Sequence, residues 1–281
     1  MRAIVTMLCL PLILAASACA RTEAKDVRLL SPQDLKADLD VALGTRVFFA
    51  HQSVGGNLLA GVGTLAREAG RELKATELDQ AGQSDSATAT GWLHAFGGQN
   101  GAPKTKIDYF VSALQRKALK PELAFMKFCY VDFEPSTDVA DLFAYYQRAL
   151  TALKRDRPDV RFAHVTVPLR VRPNDLKSKT KRLIGRDISE DLANVKRAEF
   201  NRRLLEAFPS DPIFDLARGE STRTDGTRES FEHDGKTYYS LTPGYTEDGG
   251  HLNDQGQRVL AAEMIRFVAR ARKPAMVGSS P

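Results

Sequence analysis

Little in this chain points to a prosthetic group. Its 281 residues hold three cysteines, five histidines and one tryptophan. The histidines, at 51, 94, 164, 233 and 251, lack the paired spacing that puts two imidazoles on one metal. The acids around Asp248 and Asp254 do not build a calcium loop, and neither a dinucleotide fingerprint nor a P-loop occurs. No metal and no cofactor is therefore expected. Three cysteines give no disulfide framework, so stability must come from a conventional core. The formal charge of +5 is mild; it favours anions weakly and gives no ground for a nucleic-acid partner. The remainder, 43% hydrophobic and 27% charged, is ordinary for a globular chain able to bury a sizeable core.

The N-terminus reads as a targeting segment. Arg2 supplies a positive start, Ile4 to Leu14 an apolar stretch too short to span a bilayer, and Ala16-Ser17-Ala18 small residues for cleavage. A signal peptide over 1–18 is expected. Cys19 follows directly and resembles the modified cysteine of a bacterial lipobox, although Ala16 stands where Leu is usual. Two readings fit: lipidation of Cys19 with membrane attachment, or an ordinary cleaved signal that contains a Cys. Export to the periplasm or a membrane-anchored lipoprotein follows as the expected location. Residues 19–30 read as a polar tether, 31–272 as one domain and 273–281 as a disordered tail.

Within that domain helical and strand patterns alternate. Ser31-Pro32-Gln33-Asp34 starts a helix that Gly44 ends. Strands are expected at Arg46–Ala50, Lys74–Leu78, Leu123–Val131, Val160–Val167 and Ile213–Leu216. Helices are expected at Val54–Gly70, Ile107–Leu119, Val139–Lys154, Ser189–Phe208 with a capping Ser, and Asp254–Ala271. Long loops fill about 80–106, 170–188 and 217–250. The alternation predicts an α/β fold: a three-layer α/β/α, doubly wound parallel sheet of about five strands. In such sheets ligands bind at the carboxyl ends of the strands.

Two short stretches carry chemistry. In Asp248-Gly249-Gly250-His251 an acid three residues before a histidine can orient and charge-stabilise that imidazole as a general base. Ser53, in His51-Gln52-Ser53-Val54-Gly55-Gly56, sits between a strand and a helix, where its hydroxyl is exposed and helix N–H groups face a developing oxyanion. The blander readings are a capping loop with a surface histidine and a plain helix cap.

Ser53 after the first strand, a glycine after the second, an acid after the third and Asp-x-x-His before the last helix together resemble the SGNH, or GDSL-like, hydrolase superfamily, over about residues 45–271. The resemblance implies a flavodoxin-like fold, Ser53 as nucleophile with His251 and Asp248, and an oxyanion hole of the Ser53 N–H and Gly82. The chain departs from it in two blocks. Gly-Asp-Ser is His51-Gln52-Ser53 here, and Gly-x-Asn-Asp is Cys129-Tyr130-Val131-Asp132, so Val131 stands where an oxyanion donor is usual. Asn100, in a long loop leaving the same edge, is the candidate replacement.

Other residues have two readings each. His51 either lends a donor to the site or bonds a neighbouring backbone. Gln52 can hold a loop as an Asp does elsewhere. Trp92, alone in its type, offers a stacking face for a sugar or a packing anchor. Asp132 and Glu220 are pocket acids or turn residues. Seven cations between Arg170 and Arg186 suit an anionic polymer, phospholipid headgroups or plain solvent. The expected function is an exported serine hydrolase of esters, with a small molecule or an O-acylated envelope glycan as substrate. An acyltransferase using the same triad, and a non-catalytic glycan-binding protein on that scaffold, are the alternatives.

Overall fold

The first strand, β1 (Val47–His51), is buried along its whole length. Val47 and Phe49 enter one core layer, Phe48 and Ala50 the other, as two-residue alternation requires. A computed structural model of the protein describes residues 32–78, 91–116 and 118–272. The expectations for the signal segment, Cys19, Gly82 and the tail lie outside those residues.

The remaining sheet residues are β2 (Ala75–Glu77), β3 (Trp92–Phe96), β4 (Leu123–Met126) and β5 (Arg161–Phe162), in spatial order β2-β3-β1-β4-β5. All four pairings are parallel. Beyond β5 the chain continues as β6 (His164–Val165), which pairs in parallel with β7 (Ile213–Phe214). With β2 set aside as an added edge, the order is the flavodoxin-like 2-1-3-4-5. The protein is therefore an α/β three-layer fold.

Helices α1 (Pro32–Leu43), α2 (Ser53–Glu68) and α8 (Asp254–Ala271) cover one face; α3 (Pro103–Gln115), α4 (Val139–Asp156) and α6 (Ser189–Ala207) cover the other. The stripe Val54, Leu58, Val62 and Leu65 fixes the buried side of α2. Gly61 lets α8 come close: a Cβ there would lie 2.5 Å from the Gln257 carbonyl oxygen.

Several expectations need correction. The strand that plays second in the flavodoxin order is β3, inside the stretch read as a loop, and not β2. Its sequence Trp-Leu-His-Ala-Phe is short and interrupted by a histidine, which hides the strand pattern. The apolar run from Leu123 keeps strand form only to Met126; a 3-10 turn over Tyr130–Asp132 ends it. Val160–Val167 is split between two pairings. Ser189 is the first helical residue of α6, and Ile188 holds the cap position without a side-chain bond. The basic loop contains α5 (Leu176–Leu183), and the third loop contains α7 (Leu216–Ser221) and an antiparallel hairpin, β8 (Ser230–His233) with β9 (Lys236–Tyr239). No helix among the described residues is long and apolar enough to cross a membrane.

Candidate active site

Ser53 is the first residue of α2, immediately beyond the carboxyl end of β1 and the cap residue Gln52. No side chain caps this helix end, so its first N–H groups and its dipole face the space around the serine. Gly55 makes the tight turn feasible, because a Cβ there would fall 2.3 Å from the His51 side chain.

A histidine approaches Ser53 from a segment distant in the chain. His251 Nε2 lies 2.9 Å from Ser53 Oγ, and His251 Nδ1 lies 2.5 Å from Asp248 Oδ2. Asp248 is held well below the usual carboxylate range, first by its hydrogen bond with the His251 ring and then by the backbone N–H groups of His251 and Gly250. An ionised carboxylate only accepts, so Nδ1 donates to Asp248 and Nε2 faces the serine hydroxyl.

The loop that carries Asp248 and His251 is built locally. Asp248 Oδ1 accepts from Gly250 N at 2.9 Å and from His251 N at 2.8 Å. Gly249 takes φ +85°, a left-handed conformation that favours glycine. From outside, Arg170 donates to the Gly249 and Asp248 carbonyls at 3.3 and 3.4 Å. Asn57 Oδ1, one turn along α2 from Ser53, accepts from Leu252 N at 3.2 Å. An open groove of about 480 Å³ runs beside Asp248 and His251 toward Asn253 and Gln257.

The Ser53 side of the site is held by long-range contacts. Gln52 Nε2 donates to the Gly97 and Gly98 carbonyls at 3.0 and 3.1 Å, tying the turn before Ser53 to the loop after β3. Both glycines are needed: a Cβ on Gly97 would meet the Tyr109 ring at 2.1 Å, and one on Gly98, at φ +71°, the Lys106 backbone at 2.6 Å. That loop is fixed in turn by a buried pair, Lys106 Nζ to Asp132 Oδ2 at 2.5 Å, while Asp132 Oδ1 accepts from Gly101 N at 2.9 Å.

These contacts revise the expectations for individual residues. Trp92 is not a stacking platform: it is 1% exposed in β3, and its indole N–H donates to the Ala42 carbonyl. Asp132 does not line a pocket, because its carboxylate is buried against Lys106 and two backbone N–H groups. His51 is 2% exposed, with Nδ1 on the Gln52 carbonyl at 2.8 Å and Nε2 on His94 Nδ1 at 3.2 Å, so neither nitrogen is left for a substrate. Burial lowers its pKa to about 3 and keeps it neutral. Asn100 shares the loop of Gly97 and Gly98, with its amide oxygen on Lys106 Nζ at 2.9 Å. Glu220 is wholly buried and accepts from Leu169 N. Because β3 is second in the flavodoxin order, the glycines that follow that strand are Gly97 and Gly98.

Tyr130 is the residue that sequence reasoning missed. Its hydroxyl sits 3.4 Å from His251 Nε2, beside Ser53 Oγ on the same nitrogen. Its carbonyl is gripped by Arg197 at 3.1 and 2.9 Å, and Arg170 rests over its ring at 5.2 Å. Gly250 leaves room for it, since a Cβ there would lie 2.7 Å from the ring. Its place directly before Val131 and the second glycine of Gly249-Gly250 are the only hints the sequence offers. No group of three or more metal-ligating side chains occurs among the described residues.

No family model matches this chain, and no curated protein matches it. It is similar to several solved structures. One is a lipase/acylhydrolase from Enterococcus faecalis, at 12% identity over 83% of this chain and 100% of that one, with a TM-score of 0.42. Another is Est24, a carbohydrate acetylesterase from Sinorhizobium meliloti, at 12% identity over 80% and 99%, with a TM-score of 0.42. A third is the acetyl xylan esterase AlAXEase, at 17% identity over 78% and 97%, with a TM-score of 0.43. At these identities the functional reading rests on the geometry of the site itself.

Proposed function

We propose that the protein is a serine hydrolase of ester bonds on an SGNH-like scaffold. The observation that carries this reading is the continuous chain Asp248 Oδ2, His251 Nδ1, His251 Nε2, Ser53 Oγ, with both links within hydrogen-bond reach. Ser53 Oγ attacks the ester carbonyl while its proton passes to His251 Nε2, and Asp248 offsets the imidazolium charge. The C–O bond to the alcohol then breaks, and the alkoxide takes that proton from Nε2. Water repeats the sequence on the acyl-serine, releasing the acid and restoring Ser53.

The carbonyl oxygen gathers negative charge beside the uncapped start of α2, where the Ser53 N–H is one donor. The Gly97–Gly98 turn, tied to Gln52, is the second donor in this reading. The Tyr130 hydroxyl, next to Nε2, steadies whichever oxygen exchanges a proton there. The finer reading is an exported enzyme, attached through Cys19, that removes O-acyl groups from an envelope glycan. The N-terminal pattern of charge, apolar stretch and small residues supports the export part.

The test is labelling by a fluorophosphonate probe together with hydrolysis of p-nitrophenyl acetate. Wild type is expected to label and turn over. Ser53→Ala is expected to lose labelling and about 10⁴-fold or more in kcat. Equal labelling of the two proteins overturns the proposal.

A further inference from the structure

Outside the site, one feature combines exposed apolar side chains with unpaired charge. Helix α5 leaves Leu176 82% and Leu183 87% exposed, and Ile184, which follows it, 60% exposed. Seven residues apart, Leu176 and Leu183 lie on the same face of the helix. Ser178 is the helix's buried residue, and its position on the helical wheel is opposite to theirs. The two leucines therefore point straight out from the protein. Around them stand Lys177, Lys179 and Arg186, for none of which an ion pair occurs among the described residues.

The arrangement is built and not frayed. Asp175 caps the start, accepting from Ser178 N at 3.0 Å and from Ser178 Oγ at 2.6 Å. The end closes through Gly185 at φ +68°, with Gly185 N bonded to the Arg182 carbonyl and Arg186 N to the Lys181 carbonyl. Arg182 and Arg172 both grip Asp191 on α6. Upstream of them Arg170 holds the carbonyls of the Asp248 loop. The apolar tip is thus mounted rigidly on the segment that passes the catalytic loop.

We infer that α5 is an interfacial helix that docks on an anionic phospholipid surface, with Leu176, Leu183 and Ile184 entering the headgroup region and Lys177, Lys179 and Arg186 meeting lipid phosphates. An apolar face flanked by cations is what such helices present. An anionic polymer in water would use the cations but give no burial to three aliphatic side chains. This surface stands independently of the esterase reading, because nothing in it uses Ser53.

The experiment is vesicle co-sedimentation with the full chain carrying Cys19→Ser, which removes lipid attachment from the comparison. Vesicles of phosphatidylcholine with one quarter phosphatidylglycerol are compared with phosphatidylcholine alone. Binding is expected only to the anionic vesicles. It is expected to weaken roughly tenfold or more in a Leu176→Ser, Leu183→Ser, Ile184→Ser variant, and by a similar factor in Lys177→Glu, Lys179→Glu. The replaced side chains are exposed, so thermal melting of both variants should match the parent. Equal binding to neutral vesicles, or binding unchanged by the serine variant, overturns the inference. So does loss of self-association, in place of lipid binding, when the leucines are replaced.

Discussion

The two halves of the site are built on opposite plans. The half around His251 is a local loop: Asp248 bonds groups two and three residues away, and the side chains of His251 and Asp248 remain 43% and 56% exposed. The half around Ser53 is assembled from distant segments, several of them buried: Gln52 to Gly97 and Gly98, His51 to His94, and Lys106 to Asp132. A local loop can be read as a short motif and tolerates change around it. A distributed support leaves no motif, and its parts fail together.

Substitutions can break this contrast, and the largest effect belongs to the local half. Asp248→Asn keeps the shape of the loop but no longer holds the imidazole in the working tautomer. A loss of about 10³- to 10⁴-fold in kcat is expected, with unchanged melting. A loss under tenfold would remove Asp248 from the mechanism. In the distributed half the first effect is on stability. Lys106→Met leaves the Asp132 carboxylate buried without its cation, at a cost of about 3–5 kcal/mol in urea unfolding. A cost below 1 kcal/mol would show that the pair does not hold the loop.

Tyr130 joins the halves. Tyr130→Phe should lower kcat about tenfold at unchanged KM, the worth of one hydrogen bond made at the reacting oxygen. A purely structural role would instead lower the melting temperature and leave kcat alone. A further effect is on pH dependence. An unfolded histidine takes up a proton near 6.5, whereas burial delays this in His51 to about 3. The stability contributed by the neutral ring is complete above 6.5 and drains away as pH falls toward about 3. Urea midpoints between pH 7.5 and 4.5 should therefore decline, and decline less steeply in His51→Gln. Equal slopes would mean that His51 is not the group responsible.

The same contrast decides what the sequence made legible. The bounds of α8 and the strand before Ser53 follow from periodicity, because apolar spacing and a capping Asn253 act over a few residues. The juxtaposition of Ser53, His251 and Asp248 was legible as two short patterns placed on one sheet edge. Strand β3 was not, since Trp-Leu-His-Ala-Phe carries neither strict alternation nor a continuous apolar run. That omission moved the expected glycine to Gly82 and left Trp92 in a loop. Asp132 misled for another reason: the acid is where the pattern expects it, but Lys106, which neutralises it, lies 26 residues away. The helix inside the basic loop was hidden by its charge, which lowers its mean hydropathy below that of a packed helix.

The docking of α8 on α2 has a temporal meaning. Ser53 and His251 lie 198 positions apart, and Ser53 is made first. A chain still emerging from the ribosome therefore carries Ser53 without its His251 partner. Gly61 against Gln257, and Asn57 against Leu252, set the two helices in register only when the final segment arrives. The Ser53–His251 contact thus depends on the pairing of two segments that lie far apart in the chain.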